Sequence, residues 1–247
     1  MTRYASLGHD GLAAPAAVVA DPSAFTQYDE DWSGSVDVSG STFQVAGGLI
    51  WTLEKGTAAF SSTATGIAFI PNASGKAMAW TALSGAFGAS FADLDLILLW
   101  RRTAATKITG GTPASTKYRT LEPRVGTPTT FATYAGFGAC YNGATPSGDS
   151  IQAPYSGGST IKASPAVDTT TIRWVGVRLQ GGAVAQGVYA TVADPAVADL
   201  TYYGRYANLL APNGTAWATA MQIEVNRGSE AFQEEVDRFR SWKRPAS

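Results

Sequence analysis

The chain has 247 residues, 45% of them hydrophobic and 11% aromatic, which suits one large all-β domain or two small ones. Charged residues are sparse, at 15% against about 25% in an average domain. A net charge of −1 excludes a global attraction for nucleic acid or anionic membranes, and a single cysteine, Cys140, excludes an intrachain disulfide.

Residues 1–34 read as an extended N-terminal arm: Ala/Pro-rich sequence, then Asp29-Glu30-Asp31, with no sustained periodicity. Those three acids read as a solvated acidic turn, and their spacing fits no EF-hand loop. Ala13 to Ala20 is too short and too weakly apolar for a signal core and contains Pro15, so the expectation is synthesis in a cytoplasm without a signal peptide. No apolar run approaches the roughly 18–20 residues of a membrane span.

Strand signals begin at Ser35. Leu49 to Leu53, the loop Glu54-Lys55-Gly56-Thr57 and Ala58 to Phe60 read as a hairpin with a four-residue loop. Ile67 to Ile70 and Ala77 to Leu83, centred on Trp80, are further strands. In Phe91 to Trp100, Leu94, Leu96, Leu98 and Trp100 share one face. Residues 101–130 change character. Arg101, Arg102, Lys107, Lys117, Arg119 and Arg124 face the single acid Glu122, and prolines and glycines punctuate the stretch. It reads as a long, basic, exposed excursion and a candidate partner-contact surface. Phe131 to Tyr141 resumes a strand. Thr170 to Leu179 and Ala183 to Val192, joined at Gly181-Gly182, read as a second hairpin.

Thr215 to Asn226 alternates with period 2, placing Trp217, Thr219, Met221, Ile223 and Val225 on one face. Ser229 then sits at an N-cap position, and Phe232, Val236, Phe239 and Trp242 recur at helical spacing. Acids crowd the first half of that segment and bases the second, which suits a helix dipole. The reading is therefore a C-terminal α-helix over about 229–242. About ten to thirteen strands and one helix, over residues 35–247, predict an antiparallel β-sandwich of jelly-roll type.

Obvious catalytic equipment is missing from the sequence. The only histidine, His9, lies in the arm, so the sandwich body holds no His-based general base, catalytic triad or His-cluster zinc site. Asp93 and Asp95 share a strand face about 6–7 Å apart, a distance two glycosidase carboxylates can have, but Ile97 occupies the next position on that face. They read as solvated aspartates at a strand start. Cys140 reads as a buried, inert thiol. No catalytic residue, metal site or cofactor is expected. Tyr141, Tyr155, Tyr202, Tyr203 and Tyr206 lie in or near loop-like sequence, where aromatic faces stack on sugar rings, and form the candidate carbohydrate-binding set.

Met221-Gln222-Ile223-Glu224-Val225 followed by Ser229 to Trp242 resembles the close of concanavalin A-like and laminin-G-like jelly rolls. The hairpin Ile172-Arg173-Trp174-Val175-Gly176-Val177 to Val188-Tyr189-Ala190-Thr191-Val192 resembles their paired strands. Asp31-Trp32-Ser33-Gly34-Ser35 with Gly48-Leu49-Ile50-Trp51 is similar to their opening strands. The resemblance spans residues 31–243. It implies a lectin-like sandwich. In chains without a signal peptide it implies a non-enzymatic structural protein of a bacteriophage or gene-transfer-agent virion: a tail, fibre, spike or head-decoration subunit. The partners implied are other virion proteins, host-surface polysaccharide and further copies of the chain, a trimer in first place. The alternatives are a carbohydrate-binding module and a polysaccharide-degrading enzyme.

Overall fold

The structure is a computed structural model. It describes residues 25–33, 37–39, 41–54, 59–70, 76–83, 87, 94–109, 117–126, 134–136, 138–142, 150–154, 160–163, 172–180, 184–207, 218–224 and 231–245. The described residues form eighteen strands and one short 3-10 turn. In chain order the strands are β1 (Thr26–Asp31), β2 (Asp37–Ser39), β3 (Thr42–Gln44), β4 (Trp51–Glu54), β5 (Ala59–Ser62), β6 (Ile67–Ile70), β7 (Lys76–Ala82), β8 (Leu94–Thr109) and β9 (Lys117–Gly126). There follow β10 (Tyr134–Gly136), β11 (Gly138–Asn142), β12 (Ser150–Pro154), β13 (Thr160–Ala163), β14 (Trp174–Gln180), β15 (Val184–Ala190), β16 (Thr201–Ala207), β17 (Ala218–Glu224) and β18 (Ala231–Pro245).

They make two antiparallel sheets. The first runs β16-β15-β14-β8-β18-β6-β5, with β1 also beside β18. The second runs β13-β12-β11-β9-β17-β7-β4-β3-β2, with β10 beside β9. The expected antiparallel β-sandwich is the observed architecture. The second expected hairpin is there too: β14 and β15 pair from Trp174↔Ala190 to Gln180↔Val184.

The inter-sheet core is aromatic. Leu96, Leu98 and Trp100 of β8 and Phe239 of β18 face Trp51, Phe43 and Trp32, all buried. Trp51 lies 5.1 Å from the Phe239 ring and 5.1 Å from Trp32, edge-on in both cases, the geometry favoured by the ring quadrupole. Ile97 and Leu99 point the other way, yet residues 95–100 are all buried. The reason is a strap, residues 191–200, that leaves β15, folds back over the outer face of the first sheet and returns as β16. Its Val197 and Leu200 pack on Ile97, Leu99, Trp174, Val188, Ala190 and Trp242. Central strands covered on both faces read as continuous apolar runs, and Leu96-Ile97-Leu98-Leu99-Trp100 is one. Gly176 fits the same crowding: a Cβ there would run into the Leu98 carbonyl oxygen.

Four expectations change. Ala231–Pro245 is not a helix but β18, paired with β8 over most of its length. As a strand it sends Phe239 into the inter-sheet core and Arg240 and Trp242 to the outer face, so both faces are buried. Its Asp237, Arg238, Arg240 and Arg244 pair with ionic partners on β8, on β1 and in the strap rather than answering a helix dipole. Second, the strands either side of residues 55–58 are no hairpin. β4 pairs with β3 and β7 in one sheet, and β5 pairs with β6 in the other. Third, the described parts of the basic stretch are not an excursion, because β8 runs 16 residues through Thr109 and β9 runs 10. Fourth, the described end of the expected arm is β1, paired with β18 from Thr26↔Lys243 to Asp31↔Arg238, so Asp29-Glu30-Asp31 is a strand and not a turn.

Candidate functional site

The outer face of the first sheet gathers most of the charged and aromatic side chains that sequence reading connects with function. At one end Asp95, 3% exposed, takes a bidentate pair from Arg178 (Nε 2.9 Å, Nη2 2.7 Å) and further bonds from Arg244 Nε and Nη2 at 3.2 and 2.9 Å. The Arg178 guanidinium lies 5.3 Å from the Tyr202 ring centre, and Arg244 lies 4.5 Å from that of Phe25. Burial works to lower the Arg178 pKa, but the hydrogen bonds and charge of Asp95 outweigh it and hold it above its ordinary value. Burial also pushes the Tyr202 hydroxyl up, with the Asp95 charge adding to the effect and Arg178 opposing it.

At the other end Arg240, buried, is stacked 5.0 Å from the Trp174 ring centre and 5.7 Å from that of Trp242. It donates to Asp29 Oδ2 at 2.7 and 3.1 Å, to the Pro195 carbonyl at 3.1 Å and pairs with Asp194 at 2.6 Å, which ties the strap to β1 through one side chain. The Trp174 indole adds a bond to the Ala193 carbonyl, 3.1 Å. Arg101 makes a bidentate pair with Asp237, 2.7 and 2.5 Å. Arg238 lies 3.3 Å from both Asp29 and Asp31. Desolvation works to raise the Asp31 carboxyl, but the Ser33 hydroxyl and N–H and the Arg238 charge hold it below the usual carboxylate range. The Arg240 hydrogen bond and charge do the same for the exposed Asp194.

Between the sheets Glu30, 3% exposed, is a buried hub. Its Oε2 accepts from the Trp32 and Trp51 indoles at 3.0 and 2.9 Å, and its Oε1 from the Tyr28 hydroxyl at 2.6 Å and from the Leu49 N–H. Burial and the adjacent Glu30 push the Tyr28 hydroxyl well up. Four donors on one carboxylate meet the requirement that buried polar atoms be paired.

The outer face of the second sheet differs. Trp80 of β7 is half-buried and packs on the buried Met78 and Ala218. Its register partners are Thr52 on β4 and Ala220 on β17. Ala220 pairs in turn with Arg124 on β9, and Arg124 with Gly136 on β10. The Trp80 Nε1 is buried and meets no acceptor among the described residues. Trp100 Nε1, Arg238 Nε and Ser241 Oγ likewise lack a hydrogen-bond partner among the described residues, but all three belong to the first sheet, where Arg238 Nε lies 3.3 Å from Asp29 Oδ1.

Of the tyrosines expected to bind sugars, Tyr202, Tyr203 and Tyr206 share the edge strand β16, with Tyr202 half-buried against the strap cluster. Tyr203 pairs with Gly187 and Tyr206 with Ala185. Tyr141 is in the second sheet, paired with Tyr118, and Tyr155 lies outside the described residues. Of the expected partner-contact bases, Arg101 is engaged internally, and Arg102 is buried and donates to the Ile172 carbonyl at 3.3 Å. Lys107 is in β8, and Lys117, Arg119 and Arg124 are in β9. Asp95 corrects the expectation of a solvated aspartate, because two guanidiniums enclose it. Asp93, His9 and Ser229 lie outside the described residues, and Cys140 takes a backbone position in β11 opposite Ser150. Arg178, Arg240, Glu30 and Trp80 carry the geometry and were absent from the expected site. For Glu30 a signal existed: Tyr28, Glu30 and Trp32 alternate with Asp29 and Asp31, a strand period that the acidic run concealed.

No protein-family model matches the sequence, and no curated protein matches it as a relative. Solved structures match by shape. Peanut lectin with a bound 9-residue peptide aligns at a TM-score of 0.52 and 9% identity over 90% of this chain and 99% of the lectin. The carbohydrate recognition domain of Emp47p aligns at 0.47 and 10% identity, over 92% of this chain and all of that domain (100%). The Griffonia simplicifolia lectin I-B4 aligns at 0.44 and 10% identity, over 90% and 93%. Nothing in these likenesses links the chain to phage or gene-transfer-agent virions. The chain has the concanavalin A-like lectin fold.

Proposed function

We propose that this protein is a non-catalytic, lectin-like domain that binds glycan on the outer face of its second sheet, with Trp80 as the stacking platform. One observation carries the reading. Trp80 is a half-buried indole on a sheet face, with a buried N–H that lacks an acceptor among the described residues and a cross-strand row of Thr52, Ala220, Arg124 and Gly136 at the register positions beside it. Aromatic faces stack on the C–H faces of sugars, and a sugar hydroxyl entering beside the ring would give the N–H its missing partner. The lectin fold supports the same direction, although folds host many functions and the weight rests on the site.

Asp95 is held as a paired carboxylate. Both its oxygens accept from guanidinium groups, so it is badly placed to give or take a proton at a glycosidic bond. Glycan-array screening followed by calorimetry tests the binding. Trp80→Ala should weaken the best glycan by about tenfold or more, the scale of a lost anchor at roughly 1.4 kcal/mol per decade. The β16 tyrosines are the rival surface. If Tyr203→Ala with Tyr206→Ala abolishes binding and Trp80→Ala does not, the ligand lies there.

Carriage of this domain on a virion, as a homo-oligomer bound to other virion proteins and made in the host cytoplasm, is a further proposal supported by the sequence pattern alone. Incorporation of the tagged chain into particles tests it.

A further inference from the structure

We infer that β1 is an exchangeable strand, and that the slot it fills beside β18 also accepts β1 of a second copy of this chain. β1 is recognised on both of its faces. Outward, Asp29 meets Arg240 and Asp31 meets Arg238. Inward, Tyr28 lies edge-on to Phe239 at 6.5 Å, and Glu30 takes the Trp51 indole and the Leu49 N–H. Trp32, just beyond the strand, donates to Glu30, and its own N–H bonds the Asp237 carbonyl at 2.7 Å. Charge and shape thus specify one segment, Tyr28-Asp29-Glu30-Asp31-Trp32.

Apart from the Tyr28, Trp32 and Ser33 contacts inside the segment itself, these contacts reach residues 19 to 211 positions away in sequence. Nothing in them depends on β1 belonging to the same chain. Among the described residues β1 pairs with β18 and no other strand, so it leaves the sheet without breaking a second ladder. β1 belongs to the first sheet, whereas the next strand, β2, belongs to the second, and the sequence joining them is Trp32-Ser33-Gly34-Ser35-Val36. That link carries Gly34, and glycine is the residue type that takes positive and negative φ about equally. Closed and exchanged forms share the same interface, which is why swapping of an identical element is a low-cost route to a dimer.

The test uses the register pair Thr26↔Lys243, both exposed, in the full chain with Cys140→Ala. A chain with both Thr26→Cys and Lys243→Cys should form the disulfide and verify the pairing. Chains with one cysteine each, Thr26→Cys and Lys243→Cys, are then concentrated together and oxidised. Exchange predicts a mixed disulfide dimer, enriched roughly tenfold or more over a control pairing Thr26→Cys with Val192→Cys, because docking raises the local thiol concentration. An unsubstituted sample supplies a second arm. Light scattering should show a dimer at high concentration, and excess synthetic peptide of residues 25–33 should dissolve it, while the peptide with Glu30→Ala and Asp29→Ala should not. The inference is overturned if the double variant closes within one chain, the mixed single variants link no better than the control, and the unsubstituted chain stays monomeric throughout.

Discussion

The two outer faces of the sandwich invert what their compositions suggest. The first sheet carries Arg101, Arg178, Arg238, Arg240 and Arg244 with Trp174, Trp242 and Tyr202, the residue types of a recognition surface. The structure matches them with Asp29, Asp31, Asp95, Asp194 and Asp237 and closes part of the face with the strap. The second sheet offers Trp80 in a row of small and polar positions, and there an indole N–H is left without a partner among the described residues. Residue type says what a side chain can bind; cross-strand pairing decides whether that capacity is already used.

The sharpest way to break this contrast is to remove a guanidinium from the first sheet. Arg178→Ala leaves Asp95 buried with Arg244 as its remaining partner, and Arg240→Ala frees the strap from β1. Arg178→Ala should cost about 3–5 kcal/mol, the usual penalty for breaking a buried ion pair from one side, and Arg240→Ala, whose Asp194 and Asp29 partners reach water, should cost less, about 1–3 kcal/mol; urea denaturation reads both. A loss below about 1 kcal/mol would mean that the face behaves as an ordinary surface ion-pair array.

Glu30→Gln comes next. The amide nitrogen would face two donors on one side of the hub, so roughly 1–3 kcal/mol should be lost. Thermal unfolding that matches the unsubstituted chain would show that a carboxylate is unnecessary there.

The pH dependence is smaller and follows from the shifted groups. Asp31 and Asp194 titrate below the usual range when folded. Their contribution is full above the unfolded carboxyl value of about 4 and is lost as the pH falls through the lowered folded values. Tyr28 and Tyr202 are raised, so the unfolded chain releases their protons near pH 10 while the folded chain keeps them. Stability should therefore also decline as the pH rises past that point. Stepwise denaturation across both limbs checks this, and Tyr28→Phe should flatten the alkaline one; an alkaline limb indifferent to that change would contradict the assignment.

Trp80→Phe should do least to the fold, within about 0.5 kcal/mol, because it removes a buried donor that has no partner among the described residues. Calorimetric unfolding more than about 2 kcal/mol weaker would show that the Trp80 indole carries structural load.

How much of this was legible in the sequence depends on what each segment hides. β8 was readable because Leu94, Leu96, Leu98 and Trp100 alternate, and the β14–β15 pairing because the sequence Gly181-Gly182 separates two strand patterns. β18 was misread because Val236, Phe239 and Trp242 fit a helical stripe. Its bases are in fact one side of ion pairs whose other side lies in β1, in β8 and in the strap, and no local pattern reveals such distant partners. The change of sheet between β4 and β5 was hidden for a related reason, since a short turn-like sequence does not say which strand will pair. Trp80 was visible as the centre of a strand, but its unpartnered N–H is a property of the neighbours that the fold brings to it.

The most direct test of the central claim is a titration of the best array glycan into the unsubstituted chain, Trp80→Ala and Tyr203→Ala with Tyr206→Ala, with folding of each checked by circular dichroism. The account predicts binding that falls by about tenfold or more in Trp80→Ala alone. Binding by Trp80→Ala equal to that of the unsubstituted chain would contradict it, and so would the absence of any glycan ligand across the array.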